Sequence, residues 1–260
     1  MTLTIDELIV YSKKCSVDET VVLQGLLGSS TKFKNFYEKE RQSIQCEIIW
    51  VFNDYLDTKD QLPDGDLARV NWIDNSHAII IFKHNPPLKA DETIIAHELA
   101  HMIIKERGFP LVRLTDQDSP IPPNLQEQIF CLNNMIHDPL VISLLTSYGY
   151  DLRREYLDEC KKGVRLSSSF REKPDPILFL NMAFNFVQTH LMIQILSLDK
   201  KSSCQKLQEI ITSIYPELKR EADVIIQRID KIGYDTPEKV RAVYQEIIKE
   251  HLGLEMILTV

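Results

Sequence analysis

Residues 92–110 read ETIIAHELAHMIIKERGFP. His97 and His101 stand four apart, with Glu98 between them. The spacing predicts a helix from about Asp91 to Arg107, with Asp91 able to cap its start and Gly108 able to end it. Ile94, Ile95, Leu99, Met102, Ile103 and Ile104 fall on nearly every side of that helix. A helix apolar all round is a central one, covered by other elements. Whatever else the chain forms is therefore expected to pack around this segment.

The polar residues inside it carry a definite chemistry. Positions i and i+4 lie about 40° apart on one helix face. His97 and His101 can thus offer two imidazole nitrogens to one metal ion, and zinc suits imidazole ligands. Glu98 is turned about 100° from His97, so it flanks the ion and can take a proton from an attacking water and return it to a leaving nitrogen. Apart from the two histidines, Glu98 is the only acidic or basic residue from Ile94 to Ile104. Burying these groups unpaired would cost several kcal/mol, roughly, so a metal or a polar network must compensate.

Working outward, the first 45 residues read as helical, with Thr4 and Ser16 as candidate caps. QCEIIWVF (45–52) reads as a strand and YLDTKDQLPDGD as a polar loop. ARVNWI and HAIIIFK, separated by DNS, read as a hairpin. FPLVRLTDQDSPIPP follows the central helix as a loop, and NLQEQIFCLNNMI as a second helix. Asp138 and Pro139 read as the cap and first turn of a third helix, PLVISLLTSYG. From Asp151 onward, segments 151–162, 175–197, 203–214, 216–232 and 236–251 all read as helices. The expected class is α+β: a small antiparallel or mixed sheet packed on the central helix, then an all-helical C-terminal half. The corresponding regions are 1–150 and 151–260, packed either as two domains or as one unit.

Composition narrows the function classes. A net charge of −8 repels phosphate backbones, so nucleic acid is not an expected partner. The five cysteines, Cys15, Cys46, Cys131, Cys160 and Cys204, are scattered and lack any CxxC. That pattern speaks against a disulfide framework and for a reducing compartment. No basic segment followed by an apolar run opens the chain, so a cytoplasmic location is expected. The apolar run 176–196 contains Asn181, Asn185, Gln188 and His190 and reads as a buried helix rather than a membrane span.

IIAHELAHMI resembles the extended signature of the zincin metallopeptidases, in which uncharged residues surround HExxH. The likeness covers this helix strictly and residues 45–137 loosely. Its metzincin branch would require glycine and histidine where the chain has Ile104 and Arg107. The gluzincin branch implies a glutamate near the start of the next helix, which points to Glu127 as the third zinc ligand. Such proteins often carry an aspartate four residues later, whereas here the residue is Cys131, so a supporting partner must come from elsewhere. His137 is the rival ligand, or a hydrogen-bond donor to the oxyanion. Asp116 and Asp118 are further rivals, and Tyr148 and Tyr150 are alternative donors. HAIIIFK is similar to the zincin edge strand that pairs with extended substrate. His77, His84 and His190 read equally as surface or core histidines.

The resemblance implies a zinc-dependent metallopeptidase acting on protein or peptide. Zn2+ would be held by His97, His101 and Glu127, with Glu98 as base and His137 assisting. In size, HExxH helix and short preceding sheet it is similar to the compact bacterial ImmA/IrrE-type metallopeptidases. Two other readings stay open: a non-catalytic binding protein on the same fold, and a metal-dependent hydrolase of a non-peptide substrate.

Overall fold

The structure is a computed structural model describing residues 5–57, 61–62, 66–113, 123–167, 174–199, 201–252 and 257–259. Asp116, Asp118 and the Thr4 cap lie outside the described residues. Two compact units are present, one formed by 1–106 with 147–150, the other by 107–146 with 151–260.

The first unit is α+β. Helices α1 (Ile5–Lys14), α2 (Glu19–Ser29) and α3 (Thr31–Glu40) precede most of the sheet. Its strands β1 (Ser16–Val17), β2 (Glu47–Phe52), β3 (Ala68–Trp72) and β4 (His77–Phe82) lie in the order β1-β2-β4-β3. The sheet is mixed, since β2 and β4 run parallel while both outer pairs are antiparallel. Ser16 belongs to β1, and Asp18 is the residue that caps α2, accepting from the N–H groups of Thr20 and Val21. The expected hairpin forms: Asp74 Oδ1 accepts from the N–H of Ser76 at 2.6 Å and of His77 at 2.7 Å, closing the turn from β3 into β4.

Strand order explains the two-sided burial. Ile49, Val51, Ile79 and Ile81 form a cluster with Leu56, against which Ile9, Tyr11 and Cys15 pack. The alternate residues Trp50, Ile80 and Phe82 are buried on the other face, Trp50 and Phe82 meeting edge to face. HAIIIFK is corrected from edge strand to interior strand. β4 is bonded to β2 on one side and β3 on the other, so its main chain has no open side for a substrate. Within the described sheet the open edge on that side belongs to β3.

α4 (Glu92–Glu106) contains the HELAH residues and contacts β3. Gly108, at φ +87°, marks the chain reversal just beyond it, a conformation glycine adopts without steric cost. The return segment 147–150 docks on α3, where Phe36 meets Tyr148 and Tyr150 edge to face and Lys32 lies 4.0 Å over the Tyr150 ring.

The second unit is almost wholly helical: α5 (Pro123–Ser147), α6 (Arg153–Leu166), α7 (Pro176–Ile195), α8 (Ser203–Ile214), α9 (Pro216–Ile232) and α10 (Pro237–Ile247). β5 (Leu111–Arg113) pairs antiparallel with β6 (Ile257–Thr259); β5 lies in a segment read as loop and β6 beyond the last segment read as helix. α7 starts as expected, with Asp175 capping Ile177 and Leu178 and Pro176 in the first turn. Residues 124–147 and 176–195 are long and apolar enough to cross a bilayer by length and composition. α7 packs against α9 and α8.

Two expectations fail in this unit. α5 runs unbroken through Pro139 instead of splitting at Asp138. Proline interrupts one helical bond and costs about 3 kcal/mol in a helix interior. Met135, Ile136, Val141 and Leu145 on both sides of it are fully buried. That burial favours keeping the two halves as one rod. Cys160 and Cys204 are joined as a disulfide linking α6 to α8, contrary to the disulfide-free pattern expected.

Candidate metal centre

A short 3-10 turn, Lys89–Asp91, feeds the chain into α4. The buried Asp91 carboxylate accepts from the Leu88 N–H at 2.6 Å and lies 2.9 Å from His84 Nδ1. His84 is therefore a partner of this turn. His77 is likewise paired with Asp74 at 3.0 Å, and His190 with Gln194 at 2.9 Å.

His97 and His101 come together as their spacing predicts. Their Nε2 atoms are 3.0 Å apart and their rings are 4.7 Å apart at 76°. Both side chains are half-buried on a helix whose neighbouring residues Ala96, Leu99 and Ala100 are almost completely enclosed. At 3.0 Å one ring must donate Nε2–H to the lone pair of the other, or both lone pairs must face a common cation.

Glu98 is buried and turned toward the sheet edge. Its Oε2 accepts the backbone N–H of Val70 at 2.7 Å. Val70 lies in β3, whose partner is β4, so this N–H points off the open edge. Two turns along α4, the buried Lys105 ammonium lies 3.9 Å over the Trp72 ring of the same strand. These two contacts tie α4 to β3 on either side of Asn71.

The remaining expected residues have surroundings of their own. Glu127 is exposed on α5, and Cys131, one turn further, is buried. Burial first, and the Glu127 charge second, push the Cys131 thiol up to about 11, so it is protonated at neutral pH. His137 is almost fully buried, with Nε2 2.9 Å from the carbonyl oxygen of Pro110. A carbonyl only accepts, so this nitrogen carries the proton and donates, and in the neutral ring the lone pair is on Nδ1. Tyr148 donates its hydroxyl to Glu40. Tyr150 is held high by burial first and by the neighbouring Glu92 carboxylate second. Both tyrosines belong to the packing of 147–150 on α3.

Beside His137 on α5, Asp138 is half-buried, and its Oδ2 accepts from Gln188 Nε2 at 2.6 Å. Tyr156 and Tyr244 also sense its charge. Tyr156 is pushed up to about 12, chiefly by burial, with the Asp138 charge adding to the rise. Tyr244 is raised by the same two causes.

Comparison with known proteins finds no matching family model, no matching curated protein and no matching solved structure.

Proposed function

We propose that the chain is a zinc-dependent metallopeptidase whose ion is held by the histidine pair His97 and His101. One observation carries the reading: the Nε2 atoms of the two histidines lie 3.0 Å apart on one face of α4. Two imidazoles converging in this way suit a zinc ion. Two Zn–N bonds of about 2.0–2.1 Å meeting at a tetrahedral angle would set the nitrogens about 3.3 Å apart. The 3.0 Å between the Nε2 atoms needs little adjustment to meet this.

The third ligand in this reading is Glu127, as the gluzincin resemblance implies, with His137 as its rival.

Bound zinc supplies a Lewis acid for a substrate carbonyl and lowers the pKa of a water beside it. The chain's own residues do the rest. Glu98 takes the proton from the attacking water and delivers it to the departing amine. The Val70 N–H holds one of its oxygens in place and so limits its orientation. The peptide substrate class rests on the HELAH helix, and the likeness to compact bacterial zincins on that helix with the chain's size and short preceding sheet; a cytoplasmic location belongs to the same proposal and rests on the N-terminal sequence and the cysteine spacing.

The test is metal analysis of purified protein alongside a peptide-profiling screen with and without chelator. We expect stoichiometric zinc and chelator-sensitive cleavage, with Glu98→Gln keeping zinc and losing cleavage. Protein that takes up no zinc sinks the reading. Zinc uptake without peptide cleavage favours a binding role, or a non-peptide substrate if other hydrolysis is found.

A further inference from the structure

We propose that the hydrogen bond from Val70 to Glu98 is a latch: an extended peptide that pairs with β3 takes the Val70 N–H from Glu98 and so releases the base. This rests on the metallopeptidase reading above. Every group of the chain that takes part lies in the first unit, on β3 or α4.

Register decides which way the β3 main chain faces. At one end of the β3–β4 ladder the Lys83 N–H donates to the Leu67 carbonyl at 2.9 Å, and at the other the Ile73 N–H donates to the His77 carbonyl at 3.1 Å. Along an antiparallel pair, bonded residue pairs alternate with unbonded ones. Arg69 and Asn71 therefore bond to β4, while Ala68, Val70 and Trp72 turn their main-chain groups outward. The strand lies at the surface, with Asn71 exposed and the Arg69 side chain 42% exposed.

Of these outward groups, the Val70 N–H is held by Glu98 Oε2 at 2.7 Å. A peptide laid along this edge, parallel or antiparallel, must set one of its own carbonyls on the same N–H. A backbone amide has one hydrogen, so the peptide and Glu98 compete for it. The carboxylate is the stronger acceptor because it is charged, so displacing it consumes part of the peptide's binding. Glu98 is then restrained while the edge is empty and released where a peptide lies. A peptide too bent to reach Val70 leaves the base held, which selects for extended segments.

The experiment uses the zinc-loaded full chain as wild type, Glu98→Ala, Glu98→Asp, Val70→Pro and the Val70→Pro/Glu98→Ala double variant. The probe is the peptide best cleaved in the profiling screen, fluorescently labelled, with its scissile nitrogen methylated to block cleavage. Anisotropy reads its dissociation constant. Proline at an outward-facing edge position removes the N–H without removing a bond to β4. Glu98→Ala should bind the probe about 10-fold more tightly than wild type. Glu98→Asp withdraws the carboxylate by one methylene and takes the place of the alanine variant should that one not fold. In the Val70→Pro background the gain from Glu98→Ala should vanish, which a merely structural role of either residue would not produce. Binding no tighter than wild type, or a gain that persists in the Val70→Pro background, would overturn the latch; zinc uptake and cleavage by wild type would leave the peptidase reading standing. A wild-type chain that binds no zinc or cleaves no peptide overturns that reading, and this inference with it.

Discussion

Glu98 of α4 accepts the backbone N–H of Val70, 2.7 Å away, at the open edge of the sheet. A proposed general base is thereby held by main chain, which a side-chain substitution elsewhere cannot remove. Glu98→Gln keeps an acceptor oxygen for Val70 and should leave stability and zinc content near wild type. It should lower kcat/KM for peptide cleavage by about 10²–10⁴-fold. Glu98→Ala leaves the Val70 N–H without this acceptor and should also cost about 1–3 kcal/mol of stability in urea unfolding. Equal melting of the two variants would show that the Val70 bond contributes nothing.

The third ligand separates two residues of one helix. Glu127→Ala should lower the zinc content measured by metal analysis. His137→Ala should keep zinc but lose about 2–4 kcal/mol, since a buried ring and its bond to Pro110 are removed. Zinc that stays stoichiometric in Glu127→Ala but falls in His137→Ala would reverse the assignment.

The buried tyrosines predict an alkaline limit to stability. Tyr156, pushed up to about 12, binds its proton more tightly folded than unfolded, where the value is near 10. Its contribution is complete below about pH 10 and is lost as pH rises toward 12, because the unfolded chain releases the proton first. Tyr37, Tyr150 and Tyr244 are raised in the same direction, burial being the largest cause in each. Unfolding free energy should therefore fall steadily above pH 10, by about 2 kcal/mol for Tyr156 alone. Tyr156→Phe should flatten that slope, and a slope identical to wild type would refute the assignment.

Cysteine labelling checks the second unit. Under denaturing, non-reducing conditions Cys15, Cys46 and Cys131 should alkylate, while Cys160 and Cys204 should not. In the native protein near pH 8, Cys15 should react first. Burial pushes Cys46 and Cys131 up to about 11, so little thiolate is present at either. The disulfide spans 44 residues, and opening it should lower stability by up to about 4 kcal/mol on a chain-entropy estimate. Five reactive thiols in freshly isolated protein would instead agree with the reducing compartment expected from the cysteine spacing.

Much of this protein is local and could be read without a fold. The pairing of His97 with His101 follows from helical periodicity, and the β3–β4 turn from the reach of Asp74 to its own main chain. The start of α7 follows from Asp175 and Pro176. Each involves groups within a few residues, where covalent geometry leaves few alternatives. Tertiary structure decided the rest. β4 became interior because β2, some thirty residues earlier, pairs along its other side. α5 continued through Pro139 because apolar burial on both sides outweighs one lost helical bond. Cys160 found Cys204 across two helices, and Asp138 found Gln188 fifty residues away. Such partners are selected by packing of whole elements, a long-range balance of burial against chain entropy that no short window of sequence contains.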